Sequence, residues 1–204
     1  MKKVIVSAFE PFDNAKTNPS YEAAKLLKER IGEAEIEVIR LPVVFGAAAS
    51  TLEKRIDEEI PDAVIMLGVA GTRTKITPEV IAVNIDDARI PDNQGNSPRF
   101  EKIDSEGADG IFSTLPITKM IENMTKEGIS SELSYSAGAY VCNDLFYRVM
   151  NHLKAKALNI PAGFIHVPNP AESDEETKSE LGIDEIARGI QICIEAVLKE
   201  MNES

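Results

Sequence analysis

The chain has 204 residues, 43% of them apolar, and a formal charge of −12. That length fits one domain, and it can bury a full core without disulfides or metal. The acidic balance, with no block of lysine and arginine, argues against a nucleic-acid or membrane partner, which would need a basic footprint.

In chain order, residues 4–9 are an apolar run expected as a buried parallel strand. Residues 10–14 break it. A loop at the carboxyl end of a strand is where open α/β sheets bind ligands. Phe9 and Phe12 either line a pocket there or anchor the loop. Pro19 opens an expected helix that carries Ala23, Ala24, Leu26, Leu27 and Ile31 and ends at Gly32. Residues 36–41 read as a second strand, 45–60 as a second helix and 63–67 as a third, fully buried strand. This βαβαβ rhythm predicts an α/β fold with a mostly parallel sheet and helices on both faces.

The loop at 68–73 is glycine-rich, yet it holds neither G-x-G-x-x-G nor a P-loop, so no dinucleotide or nucleotide site is expected. Residues 79–85 read as strand, and 86–110 as a long ordered excursion containing a hairpin. A helix follows at 117–126, ended by Gly128. Residues 131–135 have strand character and residues 162–168 are a buried strand. An acidic exposed loop spans 169–180, and the closing helix carries Ile183, Ile186, Ala187, Ile190, Ile194, Val197, Leu198 and Met201. With no repeat and no linker, residues 1–204 are expected to form a single domain.

Cys142 and Cys193 lie in no C-x-x-C and no cysteine–histidine cluster, so neither a structural metal nor a cofactor is expected. The first residues have too short an apolar run for a signal peptide, and no stretch approaches the ~20 apolar residues of a membrane span. A cytoplasmic location is expected, a compartment compatible with free thiols.

The segment after Ser136-Ala137-Gly138-Ala139-Tyr140-Val141-Cys142-Asn143 places Leu145, Phe146, Val149, Met150 and Leu153 on one helical face. Cys142 therefore falls at a helix N-terminus, where N–H groups and the dipole favour negative charge. A thiol there is expected to have its pKa lowered from ~8.5 toward ~7 or below; the alternative is a buried free cysteine. A thiol nucleophile needs a base and an orienting acceptor. Of the two histidines, His152 lies on the same helix as Cys142, about 15 Å further along its axis. His166 ends an apolar strand and can reach the sheet edge where the thiol emerges. Glu79 is a candidate third member, with Asp86, Asp87 and Asp144 as alternatives that spacing cannot rank. Cys193 shares a face with Ile186, Ile190 and Val197 and is expected to be buried in the core or at an interface.

These residues resemble the pyroglutamyl peptidase I (pyrrolidone-carboxylate peptidase) family. Ser136-Ala137-Gly138-x-Tyr140-x-Cys142-Asn143 is similar to its nucleophile motif, and Gly71-x-Arg73-x-x-Ile76-x-x-Glu79-x-Ile81-Ala82-x-Asn84 to its glutamate motif. Ala8-Phe9-Glu10-Pro11-Phe12, Asn18-Pro19, Leu41-Pro42-Val43, Asp87-Ala88-Arg89-Ile90-Pro91-Asp92 and Gly163-Phe164-Ile165-His166-Val167-Pro168 match as well. Beyond Pro168 the likeness fades. The resemblance implies a three-layer α/β/α sandwich and a cysteine peptidase that removes N-terminal pyroglutamate through a thioester. Cys142 would be nucleophile, His166 general base and acid, and Glu79 the orienter. It also implies a homotetramer and a pocket of Phe9, Phe12, Ile90, Tyr140 and Val141. The Cys142 N–H would donate to the oxyanion, with Arg89 as a second donor. Other readings are a different cysteine amidase or glutamine amidotransferase, or a non-enzymatic thiol sensor.

Overall fold

The computed structural model describes residues 1–13 and 15–203; Asn14, in the loop expected after the first strand, and Ser204 lie outside the described residues. Strands β1 (Lys2–Phe9), β3 (Ala34–Leu41), β4 (Ala63–Val69) and β8 (Ala162–Val167) run parallel in the centre of a six-stranded sheet of order β2-β3-β1-β4-β8-β5. The short edge strands β2 (Arg30–Ile31) and β5 (Thr77–Pro78) are antiparallel to β3 and β8. β1, β4 and β8 are apolar on both faces over most of their length, because each face is covered, whereas β3 exposes Glu35 and Arg40. Val4, Val6 and Ala8 of β1 pack with α1 (Pro19–Lys25), α3 (Ile117–Lys126) and α5 (Ile183–Glu203). Ile5 and Phe9 turn the other way, into a second core with α2 (Ala47–Glu59) and α4 (Val141–Ala155). The result is three layers, α/β/α, as expected.

Sequence-based expectations fail in two places. The first helix stops at Lys25, and Ile31 instead belongs to β2. Gly32 (φ +58°) serves the tight turn between β2 and β3 rather than a helix end. The strand expected at 79–85 is present but shorter: β6 (Ile81–Val83) pairs with β7 (Gly110–Phe112) in a ribbon separate from the main sheet. The Asn143 side chain brackets that ribbon, accepting from Val83 N–H and donating to the Val83 and Ile85 carbonyls. Residues 131–135 form no strand; Ser131 and Ser134 make single bridges to Ile76 and Glu79.

The alternation along the strands sets the site. Ala162 and Phe164 of β8 face the α2/α4 layer, as do Val64 and Met66 of β4. His166 and Gly68 continue those two rows, and they are register partners. Both therefore point toward α4 at the carboxyl ends of their strands.

Candidate active site

Gly68 makes room for the thiol. A Cβ built there would lie 2.9 Å from Cys142 Sγ and 2.7 Å from Phe164 Cζ. Sulfur thus occupies the space a side chain would take, on the strand position paired with His166. Phe164 lies under the imidazole, its ring centroid 4.8 Å away.

His166 is 4% exposed, and its Nδ1–H donates to Glu79 Oε1 at 2.7 Å. That fixes the ring and leaves Nε2 as the free basic nitrogen. Glu79 is fully buried, brought in by β5 and by its backbone bond to the Phe164 carbonyl. Arg73 Nη1 donates to the same Oε1 at 2.6 Å and to Thr77 Oγ1, and its Nη2 donates to the Ser136 carbonyl at 2.8 Å. Burial opposes ionisation of Glu79, but the bond and charge of His166, with Ser134 and Arg73, hold it below the usual carboxylate range. Burial also pushes His166 down; Glu79 works against that, and Arg73 adds to it. Both directions give one state, a neutral imidazole bonded to a carboxylate.

The thiol departs from expectation. Burial, reinforced by the Glu79 charge and opposed by Arg73, pushes Cys142 up to about 12. It does stand in the first turn of α4, two residues past the N-cap Tyr140, where N–H groups lack intrahelical acceptors. Burial of the sulfur acts against that turn and favours the thiol form.

Among the other expected residues, Phe12 and Tyr140 meet with ring centroids 5.5 Å apart. Phe45, which the sequence offered only as the start of a helix, joins them edge-on at 5.2 Å. Phe9 and Val141 are buried behind these rings, while Ile90 and Arg89 are exposed on the excursion. The Tyr140 hydroxyl donates to the Pro91 carbonyl at 3.1 Å, tying that excursion down. A groove of about 1110 Å³ runs past Phe12, Val69, Gly71 and Asn169. His152 lies far from the thiol, paired with Asp57 at 2.9 Å. Asp87 is ion-paired with Arg99 and Asp144 with Arg148, and of the four carboxylates Glu79 is the one bonded to His166. Gly68, Arg73 and Asn143 were missed as positioning groups. Gly68 gave only a loop glycine as signal, and the other two stood unexplained inside the motifs. Among the described residues, no three His, Cys, Asp or Glu side chains gather as metal ligands.

A family model described as pyroglutamyl peptidase matches residues 2–200. A relative described as pyrrolidone-carboxylate peptidase 2, from Caldanaerobacter subterraneus subsp. tengcongensis, is 41% identical over 204 residues, covering 99% of both chains. A pyrrolidone-carboxylate peptidase of Streptococcus pneumoniae is 41% identical over 198 residues, covering 96% of this chain and 92% of that one. Among solved structures, pyroglutamyl peptidase I of Bacillus amyloliquefaciens superposes with a TM-score of 0.92 at 38% identity, covering 96% of this chain and 94% of its own. The pyrrolidone carboxyl peptidase of Thermococcus litoralis gives 0.94 at 34% identity, covering 100% and 96%.

Proposed function

Because the chain belongs to the pyroglutamyl peptidase family, we propose that it hydrolyses the bond after an N-terminal pyroglutamyl residue, using Cys142, His166 and Glu79. The observation that carries this is the juxtaposition at the ends of β4 and β8. Sulfur packs on Gly68, and the partner of Gly68 across the strands is an imidazole held by a buried carboxylate.

The protonation states suit general-base attack. His166 Nε2 takes the proton from the Cys142 thiol as sulfur bonds to the pyroglutamyl carbonyl carbon. The carbonyl π electrons move to oxygen, and the Cys142 N–H in the first turn of α4 is placed to receive that oxyanion. Glu79 stabilises the imidazolium without taking its proton. The imidazolium protonates the leaving amine as the C–N bond breaks. Water, deprotonated by His166, then attacks the thioester and releases pyroglutamate and the thiol.

A pyroglutamyl group is a neutral lactam, so its pocket needs apolar walls rather than an acidic anchor. Phe12, Phe45 and Tyr140 supply such walls, with Phe9 and Val141 behind them and Ile90 on the excursion. Arg89, next to Ile90, is the second donor of this reading. Residues 1–204 act as one peptidase domain on peptides carrying N-terminal pyroglutamate. The reading includes a homotetramer, as the family resemblance implies, and a cytoplasmic location, where both free thiols are compatible with a reducing compartment. Among the described residues, no helix is long and apolar enough to cross a membrane. Side-by-side assay of chromogenic pyroglutamyl and glutaminyl amides tests the reading. Release from the first alone is expected, and release only from the second would reassign the enzyme to another amidase class.

A further inference from the structure

The walls of the acyl pocket come from separate loops. Phe12 belongs to the loop after β1, Phe45 to the turn after β3, Ile90 to the excursion, and Tyr140 to the turn before α4. All four lie beyond the ends of the regular elements, so the sheet ladder does not set the distances between them. Two consecutive residues of the excursion, Asp92 and Asn93, tie these loops together.

Asp92 makes the first tie. Its side chain is 6% exposed and is surrounded by donors. Oδ1 accepts the Gln94 and Asn96 N–H groups, both at 2.9 Å, and Oδ2 accepts the Asn96 side-chain amide at 2.8 Å. These bonds close a turn over residues 92–96, in which Gly95 takes a left-handed φ of +87°. Oδ2 also accepts the Phe45 N–H at 3.0 Å, which fastens that turn to the loop after β3.

Asn93 makes the second tie. Its N–H donates to the Val43 carbonyl at 3.0 Å, beside Phe45. Its side chain reaches the loop after β1, where Nδ2 donates to Glu10 Oε1 at 2.9 Å and to the Pro11 carbonyl at 3.2 Å. An amide nitrogen carries two hydrogens and can serve both acceptors, whereas an ionised carboxyl has none to give. The next residue in that loop is Phe12. The Asn18 side chain holds the Glu10 carbonyl at 3.0 Å, so the start of this loop is gripped from two directions. Pro91, just before the pair, accepts the Tyr140 hydroxyl, and residues 91–93 therefore touch the loops of all three other walls.

We propose that Asn93 is a positioning residue for the acyl pocket: its side-chain amide clips the Phe12 loop to the excursion and so sets the spacing of Phe12 from Ile90 and Phe45. This rests on the reading of that pocket as the pyroglutamyl site. Asn93 acts through the loop and not on the reacting atoms. With the clip open, the Phe12 loop leaves its place against Tyr140 for part of the time. A lactam must then order the loop as it binds, and apparent affinity falls with the closed fraction. Once the wall has closed on the ring, the thiol and imidazole stand as before, so the loss falls on KM.

The test is KM and kcat for a chromogenic pyroglutamyl amide in the parent, Asn93→Ala, Asn93→Asp and the double variant Glu10→Gln/Asn93→Asp. Asn93→Ala removes two donations, one of them to an acidic side chain. It is expected to raise KM about tenfold and to keep kcat within about twofold. Asn93→Asp sets two acidic side chains and a carbonyl against one another, and a larger rise in KM is expected. The double variant restores a donor with the polarity reversed, so its KM is expected to fall at least about threefold below that of Asn93→Asp. A double variant no better than Asn93→Asp, or a loss carried by kcat, overturns the clip. Amide hydrogen exchange without substrate keeps this separate from the assigned activity. The Ala15 N–H bonds the Phe12 carbonyl at 3.0 Å, and its exchange is expected to quicken in Asn93→Ala while α4 stays as protected as in the parent. Unchanged exchange at Ala15 overturns the clip whatever the enzyme hydrolyses. Quickened exchange together with a parent that leaves pyroglutamyl amides intact supports the clip and overturns the reading of the pocket.

Discussion

Glu79 Oε1 receives two donors, His166 Nδ1 and Arg73 Nη1, and with His166 proposed as the base this sharing sets the acid side of catalysis. A lone carboxylate would hold a proton on the imidazole. Arg73 takes part of that carboxylate, and its charge acts with burial to keep His166 neutral below pH 6.5. The base is thus available at neutral pH, and activity is lost only as pH falls through the lowered value. Arg73→Met frees the full Glu79 charge for His166, so the acid limb of kcat/KM is expected to move to higher pH. A limb that stays in place, in a variant of normal thermal midpoint, would remove Arg73 from this role. On the proposed assignments, His166→Ala loses about four orders of magnitude in kcat, while His152→Ala stays within about twofold of the parent. Cys142→Ser is expected to retain less than about a hundredth of the activity. Glu79→Gln should keep more than the other two site variants, since an amide still holds the ring, though in a less favourable tautomer. Steady-state rates on one substrate rank all four, and equal losses at the two histidines would contradict the placement of the base.

The meeting of β4, β8 and α4 explains what could be read in the sequence at the scale of elements. Strands β1, β4 and β8 and helices α2 to α5 announce themselves, because buried parallel strands are continuous apolar runs and helix faces repeat at three and four residues, whereas β3 shows only an imperfect alternation. The thiol and imidazole were legible for the same reason, each standing at the end of such an element. Glu79 was recognised among four carboxylates through family motifs, and its β5 register, which brings it to His166, is too short to leave a periodic signal. The misread pieces were all short. Ile31 and Gly32 formed a hairpin rather than a helix end, and residues 131–135 made only single bridges. The helix start that favours a thiolate is local and legible, whereas the Phe164 and Gly68 packing around sulfur that opposes it is tertiary. Gly68 follows a run that any strand could show, and only the α4 contact gives it meaning. In Gly68→Ala the new methyl meets Phe164 Cζ at 2.7 Å and Cys142 Sγ at 2.9 Å, and neither β8 nor the α4 start can move away freely. The expected cost is about 1–3 kcal/mol of stability together with at least a tenfold loss in kcat/KM. Urea titration and rate measurement on the same preparation check both, and a stable, fully active variant would show that sulfur does not need this space.

The sheet divides the whole molecule into two cores with different duties. The α2/α4 side carries the thiol and the aromatic rings, while the α1/α3/α5 side is apolar packing that includes Cys193. Cys193 is fully buried, with Sγ 3.9 Å from Met124 Sδ across the α3–α5 contact. Burial alone pushes its thiol up to about 12, the same value as Cys142, so ionisation does not distinguish the two. Access does: Cys142 is half-buried, whereas Cys193 meets a reagent only when α5 lifts from the sheet. Such an opening exposes the core of a whole layer and costs nearly the full unfolding free energy, of order 5–15 kcal/mol for a domain. A short iodoacetamide pulse on the native enzyme, read by mass spectrometry, should therefore label Cys142 first, with activity falling in step. Label on Cys193 should appear only as urea approaches the unfolding midpoint. Under that condition its rate should follow the unfolded fraction, because a proton held to about 12 in the core returns to its ordinary range once the chain opens. Early label on Cys193 with activity retained would mean that α5 is loosely held, and that Cys142 is not the accessible thiol of this enzyme.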